Sequence, residues 1–223
     1  AHPTASKGAT YRLGVAAIAE DNVLSVGFEF NTQFSAYQTL AQHWNGSRWS
    51  IVRSPNANTS WSFLNALAVN SANDIWAVGQ ALNGSLYNTL IERWNGRQWL
   101  IVHSPSMAGV SNYLLSLEVI STNDVWAVGY TQTNNIFKPL ALHWDGAAWS
   151  ISTTPGQSRL NSVAAVAPND GWAVGVGEPS QLSLNRHRDG PPGEHRPTPK
   201  DSTADTQPAQ DADTALTQSA QLG

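Results

Sequence analysis

Seven side chains in this sequence offer surfaces suited to holding a ligand. Tyr11, Phe63, Tyr113, Trp61, Tyr87 and Phe137 present aromatic faces, and Arg159 presents a guanidinium. When the chain is aligned on its internal repeats, Tyr11, Phe63 and Tyr113 fall at equivalent places, with Arg159 in the fourth copy. Neighbouring loop stretches add Tyr37 and the amides of Asn31, Gln33, Asn56, Asn58, Asn83, Asn112, Asn134 and Asn135. Aromatic faces beside amides suit a sugar or a peptide, because stacking and directional hydrogen bonds are both available. The competing reading is that Tyr11, Phe63 and Tyr113 plug an inner core.

Other polar residues carry weaker chemistry. Asp74, Asp124 and Asp170 recur once per repeat, which spreads them over successive units instead of pairing them for acid–base work. They are expected to bond backbone amides in a turn. His43 and His143 occupy equivalent positions, with Arg93 at the same place in the unit between them, so a hydrogen-bonding role is expected rather than a shared metal. No phosphate loop, zinc motif or Ser-His-Asp set is visible. The expectation is therefore a protein that is not an enzyme and needs no cofactor.

The elements that position these residues are written in the repeats. Trp44-Asn45-Gly46-Ser47-Arg48-Trp49, Trp94-Asn95-Gly96-Arg97-Gln98-Trp99 and Trp144-Asp145-Gly146-Ala147-Ala148-Trp149 stand 50 residues apart. A second phrase keeps step as Asn73-Asp74-Ile75-Trp76-Ala77-Val78-Gly79, Asn123-Asp124-Val125-Trp126-Ala127-Val128-Gly129 and Asn169-Asp170-Gly171-Trp172-Ala173-Val174-Gly175. Asp21-Asn22-Val23-Leu24-Ser25-Val26-Gly27 is a degenerate copy, with Leu24 in the tryptophan's place. A period of this size suits a four-stranded propeller blade. In the second unit the short β-branched and aromatic runs predict strands over Phe63–Val69, Ile75–Leu82, Thr89–Trp94 and Trp99–His103. Asn95-Gly96 predicts a tight hairpin, and Pro55, Pro105 and Pro155 end the fourth strands. Nine of the ten tryptophans fall in the repeated phrases, which predicts one recurring packing role per blade.

The unit resembles a kelch-type repeat, similar to the propeller domain of galactose oxidase. The resemblance rests on the Trp-Ala-Val-Gly phrase, on Glu92-Arg93-Trp94-Asn95-Gly96-Arg97-Gln98-Trp99, and on Ser104-Pro105 followed by the Leu114–Ile120 strand, and it covers residues 11–176. One glycine (Gly79, Gly129, Gly175) stands where the family has a pair, and the arginine usual between units is missing. The Gly-x-x-Trp spacing is also similar to the turn of sialidase-like propellers. The copper chemistry that the kelch resemblance implies needs a Tyr/Cys cofactor, and this chain has no cysteine.

Composition narrows the function classes. A net charge of −4 and a pI near 5.8 argue against nucleic acid, because no basic stripe is present to meet phosphates. No apolar run approaches membrane-spanning length. The absence of cysteine suits many exported bacterial proteins, so an extracellular or cell-surface location is expected.

The pattern fails after the second strand of the fourth unit. Residues 178–223 contain no aromatic residue and six prolines, which predicts a disordered low-complexity tail. His187-Arg188-Asp189-Gly190 matches His143-Trp144-Asp145-Gly146 except at one position, so a change of reading frame and a natural linker both remain open as its origin. The expected fold is all-β: a partial β-propeller of about three and a half four-stranded antiparallel blades with a disordered C-terminal tail. Repeats occupy 1–177, with blades at about 11–53, 63–103, 113–153 and a partial 159–177. The expected function is a noncatalytic module binding carbohydrate, peptide or protein, with self-association through open blade edges. The alternatives are a fragment of a larger propeller-containing enzyme, kelch oxidase-like or sialidase-like, and a frameshifted product with no independent role.

Overall fold

Strand-forming runs separated by turn residues fold here into a series of antiparallel meanders. A computed structural model describes residues 8–57, 60–152, 154, 159–167 and 170–176. The expected tail at 178–223 lies outside the described residues, as do Asn58 and Pro155. The first sheet contains β1 (Thr10–Ala19), β2 (Asn22–Asn31), β3 (Ala36–Trp44) and β4 (Trp49–Val52). The second contains β5 (Ser62–Ser71), β6 (Asp74–Asn83), β7 (Leu86–Trp94) and β8 (Trp99–Ile101). The third contains β9 (Ser111–Ser121), β10 (Asp124–Thr133), β11 (Ile136–Trp144) and β12 (Trp149–Ser152). A two-stranded sheet of β13 (Arg159–Ala167) and β14 (Asp170–Val176) follows. Every sheet pairs its strands in chain order, and the first strands β1, β5, β9 and β13 pack side by side. This is a partial β-propeller.

Alternation along each second strand explains why the repeats read as unbroken apolar runs. On β6, Ile75 and Ala77 join a cluster with Leu24, Val26 and Ala41 of the first blade. Trp76 and Val78, on the opposite face, join a cluster with Leu142, Trp144 and Trp149 of the third. A third cluster joins Trp126 and Val128 to Leu160, Val163 and Ala173. Each junction between blades therefore has its own core, and a strand buried on both faces needs apolar residues in both phases. Trp76 illustrates the recurring role: it is fully buried, with its ring 5.2 Å from that of Trp144 and 5.4 Å from that of Trp149. Trp172 holds the same register but is 52% exposed.

The single repeated glycine has a backbone cause. A Cβ on Gly27, Gly79, Gly129 or Gly175 would collide with the carbonyl oxygen of Tyr11, Phe63, Tyr113 or Arg159, respectively. The register shifts beside all four contacts, between Arg12 and Gly14 on β1, Leu64 and Ala66 on β5, Leu114 and Ser116 on β9, and Leu160 and Ser162 on β13.

The tight hairpins expected at the Asn-Gly phrases are present, between the strand ends the sequence places at Trp94 and Trp99. Trp44 pairs with Trp49, Trp94 with Trp99 and Trp144 with Trp149, so each loop holds four residues. Only the glycine takes positive φ, and the Asn45, Asn95 or Asp145 oxygen accepts from the two amides that complete the loop. Both residues take positive φ at Asn134 and Asn135, which join β10 to β11 in two residues. That pattern is the primed hairpin geometry.

Candidate functional site

Register brings the aromatic candidates to one end of the blades. Tyr11, Phe63, Tyr113 and Arg159 lie near the start of each first strand, opposite Phe28, Gln80, Tyr130 and Val176 on the second. Tyr37, Tyr87 and Phe137 lie near the start of the third strands, just past the connecting turns. Neighbouring rings then meet from blade to blade. Tyr11 stacks on Phe28 at 4.7 Å, and Phe28 meets Phe63 edge-on at 4.8 Å. Phe63 continues to Tyr87 at 6.1 Å, Tyr87 to Tyr113 at 5.4 Å and Tyr113 to Tyr130 at 4.8 Å. Tyr130 meets Phe137 at 5.6 Å, and the Arg159 guanidinium lies 3.5 Å from the Phe137 centroid and 5.1 Å from that of Tyr130. Trp61 joins from the side, 5.7 Å from Tyr37 and 6.4 Å from Phe63.

All seven residues expected to hold a ligand thus belong to one aromatic band ending in a cation. Three further members, Phe28, Phe30 and Tyr130, escaped the sequence reading; Phe30 meets Tyr37 edge-on at 5.3 Å. For Phe28 and Tyr130 the signal was available, since each follows the repeated glycine (Gly27, Gly129), but Gln80 breaks the series in the middle blade. Gln80 is engaged otherwise: Asn65 donates both to its Oε1 at 2.7 Å and to the Leu114 carbonyl of the next blade at 2.7 Å.

The band is not part of the hydrophobic core. None of its rings belongs to the three junction clusters, Tyr11 and Trp61 are 44% and 41% exposed, and the remaining rings are half-buried. Burial raises the Tyr87 hydroxyl above its ordinary pKa, and the nearby Tyr113 adds to the effect. Tyr130 is raised by burial and by Tyr113, with Arg159 opposing. Neutral phenols beside one guanidinium make a surface for stacking, cation–π contact and hydrogen bonding.

The amides divide into two groups. Asn112 is buried and donates to the carbonyls of Met107, Val110 and Tyr87 while accepting from the Met107 amide, so it holds the loop before β9. Asn56 accepts from the Thr39 amide and hydroxyl, fastening the blade connection to β3. Asn31 accepts from the Gln33 amide within its own turn. Asn83, Asn134 and Asn135 are exposed at the loops beside the band.

His43, Arg93 and His143 serve a common structural purpose at the opposite strand ends. His43 Nε2 donates to Asn22 Oδ1 at 2.9 Å, Arg93 Nε to Asp74 Oδ1 at 2.6 Å and His143 Nε2 to Asp124 Oδ1 at 2.9 Å. The turn carboxylates therefore engage third-strand side chains, a correction to the expectation of backbone amides. The Asp170 side chain lies outside the described set. Burial works against the Asp74 carboxylate, yet hydrogen bonds from Arg93 and Asn70 outweigh it and hold its pKa below the usual value. Among the described residues, no group of three His, Cys, Asp or Glu is placed to hold a metal ion, and no helix is long and apolar enough to cross a membrane.

No family model matches the chain, and no curated protein matches it. Solved structures do match in fold. One is "YCF48 bound to D1 peptide", at a TM-score of 0.47 and 11% identity, covering 76% of this chain and 49% of that one. Another is a fucose lectin from Kordia zhangzhouensis in complex with methyl-fucoside, at a TM-score of 0.43 and 12% identity, covering 64% of this chain and 99% of that one. The chain spans about half the length of the YCF48 chain.

Proposed function

We propose that the protein is a noncatalytic binding module whose aromatic band receives a carbohydrate or peptide segment. The observation that carries this reading is the run of rings from Tyr11 to Phe137, closed by Arg159, lying partly exposed and outside every core cluster. Rings that only filled a core would be buried. Rings held at successive blades offer repeated stacking faces to an extended chain. Asn83, Asn134 and Asn135 supply amides at its edge. An exported or cell-surface location and a kelch-like lineage belong to the same proposal. They are supported by the cysteine-free composition and by the aromatic strand running into Gly79, Gly129 and Gly175.

Pairing of two copies through the exposed face of β14, where Trp172, Val174 and Val176 lie in one phase, completes the proposal. The binding experiment is a glycan array and a peptide array probed with the wild type, Phe63→Ala and Tyr113→Ala. Signal on one array, lost in both variants while their thermal unfolding remains cooperative, supports the reading and names the ligand class. Signal unchanged by both substitutions removes the aromatic band from binding.

A further inference from the structure

At the opposite end of the strands, the first blade departs from the repeat. Trp76 and Trp126 each lie at a blade junction, and their cross-strand partners are Arg93 and His143. The Arg93 guanidinium lies 4.6 Å from the Trp76 centroid, and the His143 ring lies 4.4 Å from that of Trp126 at an interplanar angle of 31°. Trp76 also packs on the Trp144–Trp149 pair of the following blade. At the first junction the frame is the same. Leu24 pairs with His43, and the following blade presents the pair Trp94–Trp99, with centroids 5.8 Å apart. Here Leu24 stands in place of the indole. A cavity of about 250 Å³ opens beside it, lined by Leu24, His43, Trp94, Val52, Ile18 and Asn22.

We infer that this cavity binds a small planar aromatic molecule of indole size, seated on His43 as Trp126 is seated on His143. The volume is sufficient, since an apolar cavity of about 150 Å³ takes up benzene. The chemistry of the frame points the same way. At the filled junctions, the Nε1 atoms of Trp76 and Trp126 are buried with no hydrogen-bond partner among the described residues. The slot is therefore built to hold a ring by its faces. His43 Nε2 is fixed by Asn22 Oδ1, which holds the imidazole plane ready as one wall. This site is separate from the aromatic band, so it stands or falls independently of the proposed function.

The test is an indole titration of the whole chain followed by NMR. Saturable shifts at Leu24, His43 and Trp94, abolished in Leu24→Trp and undiminished in Phe63→Ala, are the expected result. Ala72 lines the mouth from an exposed turn, so Ala72→Phe provides a second variant that leaves the core intact and weakens indole binding. Absence of saturable shifts overturns the inference, as does binding that survives both substitutions. Saturation by cyclohexanol with none by indole also overturns it, because the slot would then select an aliphatic group.

Discussion

Glu92 is fully buried where the first and second blades meet, and among the described residues its carboxyl is hydrogen-bonded by one hydroxyl, Ser54 Oγ, at 2.8 and 3.1 Å. Burial pushes its pKa from 4.5 to about 8, with the Ser54 hydrogen bond opposing. At neutral pH the folded protein therefore holds a proton there that the unfolded chain has lost. The neutral acid can donate to Ser54 Oγ, leaving the Ser54 hydroxyl to donate to Thr39 Oγ1 at 2.9 Å. Because the folded pKa is raised, the stabilisation is fully present below the unfolded pKa near 4.5 and is lost as pH rises through about 8. At about 1.4 kcal/mol per unit, the change between pH 5 and pH 7 is on the order of 3 kcal/mol. The equivalent positions carry Gln42 and Leu142, so the fold accepts uncharged side chains there. Glu92→Gln keeps a donor for Ser54 and cannot titrate. Urea denaturation of both proteins at pH 5, 7 and 8.5 is the assay. The stability gap between Glu92→Gln and the wild type should widen in favour of the variant by about that amount from pH 5 to pH 7. Parallel stability curves for the two proteins would refute the reasoning.

Gly129→Ala places a methyl group against the Tyr113 carbonyl, which is backbone and cannot swing aside. The cost should be about 1–3 kcal/mol, read as a lowered Tm, and the binding proposed at the aromatic band should weaken because Tyr113 moves; an unchanged Tm would disprove the close-approach account. Trp172→Glu puts a charge on the exposed apolar face of β14 and should lower the concentration-dependent mass measured by light scattering. A wild type that stays monomeric across the concentration range would dismiss pairing through that face.

Much of the architecture could be read in advance because the repeat is a local signal. Strand positions follow from β-branched and aromatic runs, and the equivalence of Tyr11, Phe63, Tyr113 and Arg159 follows from counting along the chain. The strand spans of the second blade agree with expectation to within about three residues, ordinary scatter for element ends. The same counting failed where the outcome depends on what lies across a sheet. Phe28 and Tyr130 enter the band through their pairing with Tyr11 and Tyr113, and that register depends on the glycine contact. Asp74 and Asp124 found Arg93 and His143 two strands' length away in sequence, although turn chemistry pointed to nearby amides. The Asn-Gly phrase, by contrast, marked the hairpin between Trp94 and Trp99 correctly, and those two tryptophans pair across it.

The sequence by itself determined the blade as a unit, its copy number through the fourth start, and which residues share a place in each copy. These depend on spacing along the chain, which no packing can alter. Only the tertiary structure decided that Glu92 is sealed between blades, that Leu24 borders a cavity and that the rim rings join into one surface. Those properties belong to the junctions between blades, where the environment of a side chain is set by residues about fifty positions away and by the burial they impose on it.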